Sequence, residues 1–129
     1  MNKVKVLNNN FPCFWFGACA ITMFGKIWVK NGYWYQLSSI GKQIILVHEE
    51  QHLKQQKQGL IWFIKYIFSI KFRFEQELQA YGEEAKYRIS IGDNENEVVN
   101  NIAECLSSPT YFNMVSKEIA LKRIREYLC

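Results

Sequence analysis

A chain of 129 residues has room for a single core of ordinary domain size, which excludes a two-domain arrangement. Apolar residues make up 49% and aromatics 16%, against only 2 prolines and 7 glycines, too hydrophobic and too poor in breakers for a disordered or collagen-like chain. The net charge of +4 comes from a lysine-bearing front end without arginine, which reads as solvated surface, so no nucleic-acid partner is expected.

The opening MNKVKVLNNN is polar and lacks the apolar stretch and small-residue site of a secretory leader, so a cytoplasmic protein is expected. Residues 11–37 are the β-rich part, dense in aromatic and β-branched side chains without a helical period. Within them ACAITMF and KIWVK read as strands around Gly25, and YWYQL as a third after the Asn31-Gly32 turn signal, giving a small antiparallel sheet. From Ser39, a cap candidate, the pattern turns helical over about 40–57, with Gly59 as its stop. LIWFIKYIF follows as a second helix. Its apolar run, broken by Lys65, is well short of the roughly 20 residues that span a bilayer, so no transmembrane segment is expected. It reads as a buried core helix in preference to a peripheral membrane contact. Further helices are predicted over about 72–90, 95–107 and 116–128, separated by Gly92-Asp93-Asn94 and Ser107-Ser108-Pro109. The fold class expected is α+β in one domain, helical throughout 39–129. Cys13, Cys19, Cys105 and Cys129 form no CxxC pair and are expected as free thiols.

One stretch carries chemistry: His48-Glu49-Glu50-Gln51-His52, an HExxH pattern inside the first long helix. Residues four apart on a helix lie about 40° from one another, so both imidazoles reach toward one cation. Two neutral imidazole nitrogens suit a tetrahedral Zn²⁺ that keeps a position for water, and Glu49 stands where a general base would take that water's proton. These are the only two histidines of the chain.

A catalytic zinc needs a third protein ligand. No further histidine exists and the single aspartate, Asp93, sits in a turn, which leaves the glutamates of RFEQELQAYGEEAKYR. On a helical wheel Glu77 adjoins the side of Phe74, Leu78 and Tyr81, whereas Glu75 points about 160° away with Gln79 and Lys86. A carboxylate among apolar side chains is costly to bury without a cation, so Glu77 is preferred over Glu75. Glu84 falls on the same face and reads either as a carboxylate behind a ligand or as a solvated charge. Tyr81 reads as a hydrogen-bond donor to an oxyanion or as packing, and Gln55 as an orienting amide or a surface one.

These residues resemble the gluzincin-type zinc metallopeptidases, with HExxH on one helix and a glutamate ligand on a later one. Closest in look are the small single-domain zincin-like proteins of bacteria and phages, whose motifs HExxHxxQ and ExxAY read here as His48 to Gln55 and as Glu77-Leu78-Gln79-Ala80-Tyr81. The resemblance implies one zinc per chain held by His48, His52 and Glu77, Glu49 as general base, a zincin-like core and a peptide or protein substrate. The alternative is a non-enzymatic interaction protein whose aromatic-rich sheet and helices bind a partner or membrane surface, the histidines being incidental or holding a structural zinc to which Cys13, Cys19 or Cys105 adds the fourth ligand.

Overall fold

The structure is a computed structural model and describes residues 3–7 and 19–129; Cys13 and the start of the ACAITMF strand lie outside them. Strands β1 (Val4–Leu7), β2 (Ala20–Met23) and β3 (Lys26–Lys30) form one sheet in the order β1-β3-β2. Six helices follow among the described residues: α1 (Asn31–Trp34), α2 (Ser39–Gln55), α3 (Leu60–Phe68), α4 (Ile70–Ser90), α5 (Glu95–Leu106) and α6 (Lys117–Leu128). The chain is α+β, as its composition and patterning suggest.

The sheet differs from the expectation in two ways. It is mixed, because β1 pairs parallel to β3 (Val4 with Ile27, Val6 with Val29) while β2 pairs antiparallel. The third strand is the VKVL segment of the opening stretch and not YWYQL. With β1 and β2 on its two edges, β3 has no edge left to offer, and the chain leaving Lys30 coils into α1. A parallel neighbour needs a long crossover connection, which a local turn signal does not reveal. Phe24 and Gly25 both have positive φ (54° and 73°), the conformation of a two-residue type I′ hairpin between β2 and β3.

Helix starts follow side-chain caps. Ser38, one residue before the expected Ser39, accepts from the Gly41 amide at 3.1 Å, and Ser69, Asn94 and Ser116 cap α4, α5 and α6 in the same way. Gly59, at φ 71°, separates a 3₁₀ turn (Gln56–Gln58) from α3, and Gly92, at φ 106°, follows α4.

The apolar core lies between α4, α5 and α6, where Phe74 and Leu78 meet Val98, Ile102, Leu106 and Ile124. It fixes the rotation of α4. A second set of contacts packs α2 against β2 and the other face of α4. Helix α3 is not the buried core helix its composition implies. Of its nine residues only Trp62 is buried, because the side bearing Trp62 and Tyr66 meets α4, Phe63 lies beside Phe24, and the side bearing Leu60, Ile61, Ile64, Ile67 and Phe68 is exposed. No helix is long and apolar enough to cross a membrane among the described residues. Cys105 and Cys129 are free thiols, as expected.

Candidate metal centre

Helix α2 buries three side chains, and they are His48, Glu49 and His52. A helix whose whole buried content is polar is costly to dock unless those groups are satisfied. The partner is Glu77 of α4, 3% exposed among the neighbours of Phe74 and Leu78. Its Oε2 lies 3.4 Å from Nε2 of His48 and 3.3 Å from Nε2 of His52. The three ligand atoms fall within 4.8 Å of one another.

The hydrogen bonds behind these atoms set their chemistry. His52 Nδ1 lies 2.8 Å from Gln55 Oε1, an acceptor, so Nδ1 carries the proton and Nε2 turns its lone pair inward. His48 Nδ1 faces Glu84 Oε1 at 3.4 Å, which favours the same tautomer. The Tyr66 hydroxyl donates to Glu77 Oε1, leaving Oε2, buried and without a hydrogen-bond partner, as the atom facing both imidazoles. Two nitrogen lone pairs and an orphaned carboxylate oxygen therefore converge on one point, a donor set that fits a divalent cation. A tetrahedral ion with bonds of roughly 2.0–2.1 Å separates its ligand atoms by about 3.3–3.4 Å. Both histidine-to-glutamate separations match that edge.

Without a metal, the carboxylate and the two imidazoles shift one another's proton affinity. Burial by itself would push the His48 and His52 imidazoles down, but the Glu77 carboxylate, helped at His48 by Glu84, outweighs it and holds both above their ordinary value. Burial would raise Glu77, and the two histidines instead hold it well below the usual carboxylate range.

The remaining candidates separate. Glu49 lines the same cavity, with Oε2 accepting from the Thr22 hydroxyl of β2 at 2.6 Å. Gln55 reaches α4, donating to the Gln76 carbonyl at 3.0 Å and to Gln79 Oε1 at 3.1 Å, so one amide orients His52 and ties α2 to α4. The Tyr81 ring meets His48 edge-on at 4.2 Å between centroids, and its hydroxyl pairs with that of Tyr111 at 3.0 Å. Burial pushes the Tyr81 phenol well above its ordinary value. Glu75 is not brought to the site: it accepts from Arg123 at 2.7 Å, half-exposed on another face of α4.

Three contributors escape the sequence reading: Thr22 behind Glu49, Tyr66 behind Glu77, and Tyr111 behind Tyr81. Tyr66 left one trace, a lone hydroxyl on an otherwise apolar helix. Thr22 and Tyr111 left none, since each arrives through tertiary contact. The centre opens into a cavity of about 1080 Å³ whose walls include Thr22, Ile45, Trp62, Phe63, Tyr111 and Phe112. That is room for several residues of an extended peptide. No thiol belongs to the histidine and glutamate cluster among the described residues. Comparison with known proteins finds no matching family model, curated protein or solved structure, so a function must be argued from this geometry alone.

Proposed function

We propose that this protein is a zinc-dependent hydrolase of the metallopeptidase kind, with His48, His52 and Glu77 as the metal ligands. One observation carries the reading: the buried Oε2 of Glu77 has no hydrogen-bond partner and faces two imidazole nitrogens at tetrahedral-edge distances. Three protein ligands, with no thiolate among the described residues, match an open catalytic site better than a closed structural one. When bound, zinc polarises a carbonyl and lowers the pKa of water toward about 7.

The chain supplies the rest. Glu49, its carboxylate steadied by Thr22, takes the proton of the attacking water and delivers it to the leaving amine. Gln55 holds the His52 imidazole in one tautomer, the Glu84 carboxylate faces His48 Nδ1, and Tyr66 fixes the rotation of the Glu77 carboxylate. The apolar cavity walls exclude bulk water from the reacting bond and accept side chains of a peptide.

Zinc content by elemental mass spectrometry tests the metal, and cleavage of a peptide library tests the chemistry. Near one zinc per chain is expected in the wild type, with loss in His52→Ala and Glu77→Ala. Glu49→Gln should keep the metal and lose about 10²- to 10⁴-fold in rate. A wild type that takes no zinc even after reconstitution would remove the reading.

A further inference from the structure

Helix α3 presents an apolar surface to solvent. At about 100° per residue, Ile67, Leu60, Ile64, Phe68 and Ile61 fall within an arc of about 120°, and all five are exposed, Leu60 by 75% and Phe68 by 82%. The hairpin tip extends this face. Phe24, 82% exposed, lies beside Phe63 of α3 with ring centroids 6.4 Å apart. It holds φ 54° at a turn position that Asn or Gly would adopt with less strain, so a bulky apolar residue is kept exposed against local preference. With Ile70 at the start of α4, these side chains expose on the order of 1,000 Å², where the largest apolar patch of a typical monomer is roughly 300–600 Å².

The charge along this stretch of sequence is of one sign. Lys57, Lys65 and Lys71 are all exposed, and no Asp or Glu occurs between residues 51 and 74. Lys65 stands at the margin of the arc, about 40° beyond Ile61. Packing against a second copy would set one lysine-rimmed face on another, with no local acid to pair the charges. An anionic lipid surface answers both features, since it takes up the apolar arc at the acyl boundary and lets the lysine stems extend to the headgroups.

We propose that α3 and the Phe24 hairpin tip form a docking face for an anionic lipid bilayer. The helix lies in the plane of the interface and does not cross it. Its opposite side bonds to α4 beneath the cavity, through Trp62 Nε1 to Gln76 Oε1 at 2.8 Å and through Tyr66 to Glu77. Docking therefore sets the metal centre next to the lipid surface. The face itself exists with or without a metal.

The test is sedimentation of the full chain with large unilamellar vesicles of phosphatidylglycerol and, separately, of phosphatidylcholine. Wild type should pellet with the first and much less with the second, and lose binding as salt rises. The triple variant Lys57→Gln, Lys65→Gln, Lys71→Gln should partition about a hundredfold more weakly onto phosphatidylglycerol. Ile64→Ser with Phe68→Ser should weaken binding at least about tenfold. All five positions are exposed, so circular dichroism and thermal melts should be unchanged. Equal binding to both lipids, or an apolar variant that binds as wild type does, would overturn the proposal. So would a dimer in sedimentation equilibrium that this apolar variant dissolves, which would assign the face to a second copy.

Discussion

Replacing Tyr66 by Phe removes one oxygen and nothing else that the site uses. The stack of its ring on Trp62, with centroids 4.9 Å apart at 22°, is kept, as is the apolar volume. What is lost is the hydrogen bond to Glu77 Oε1. Burial, and then the neighbouring Glu77 charge, push the phenol far above its ordinary value, so it is a donor at any working pH. A hydrogen bond to a charged group contributes about 1.5–3 kcal/mol, and here the orphaned oxygen would belong to a carboxylate 3% exposed. At roughly 3–5 °C per kcal/mol for a chain of this size, the metal-free melting temperature should fall by about 5–15 °C. Zinc affinity should drop less steeply, because Glu77 loses the bond in both metal-free and metal-bound states. The remaining difference is the cost of a carboxylate free to rotate, about 10- to 100-fold. Thermal melts with and without metal, beside competition against a chromogenic chelator, measure both. A variant that melts and binds zinc as wild type does would refute the role given to Tyr66.

Gln55→Leu removes the acceptor behind His52 and both bonds to α4, so zinc affinity should fall about tenfold and the metal-free chain should melt several degrees lower, by the same two assays. At Gly82 a methyl group would overlap the Tyr127 ring, so Gly82→Ala should cost about 1–3 kcal/mol in denaturant unfolding. Adding Tyr127→Ala removes the overlap, and the double variant should lose less than the sum of the two single ones. Zinc uptake should depend on pH. The Glu77 carboxylate, against the effect of burial, holds His48 and His52 above the ordinary imidazole value, so the metal competes with protons for both imidazoles. Apparent affinity should therefore rise with pH, by up to about tenfold per unit for each proton released, until the imidazoles are neutral. Calorimetry in buffers of differing ionisation enthalpy counts those protons, and a flat affinity from pH 6 to 8 would contradict the assignment.

Much of this geometry is legible from local pattern. His48 and His52 share a face because a helix repeats every 3.6 residues, and Glu77 meets them because the apolar neighbours that rotate α4 are written around it. Helix limits follow the cap chemistry at Asn94 and Ser116 and the glycine at 92. What fails is non-local. Val4–Leu7 finds its partner more than twenty residues away in a parallel register that no turn announces. Helix α3 has the composition of a core element, whereas exposure depends on what packs against it. Tyr66, Thr22 and Tyr111 escape because each acts through a neighbour brought close only by the fold.

The fully buried side chains of helix α2 are all polar, His48, Glu49 and His52, while apolar ones such as Ile44 and Ile45 are half-buried along the cavity. Its attachment to α4 therefore leans on ion pairs and hydrogen bonds, while α4, α5 and α6 hold together by hydrocarbon contact. A bound ion would act as a rivet between two parts that cohere for different reasons. Stripping it should not melt the protein evenly: amides along α2 should exchange with deuterium first, while those around Ile102 and Ile124 stay protected. Metal supply would then set the lifetime of the chain, since a loosened α2 offers a protease its first place to cut.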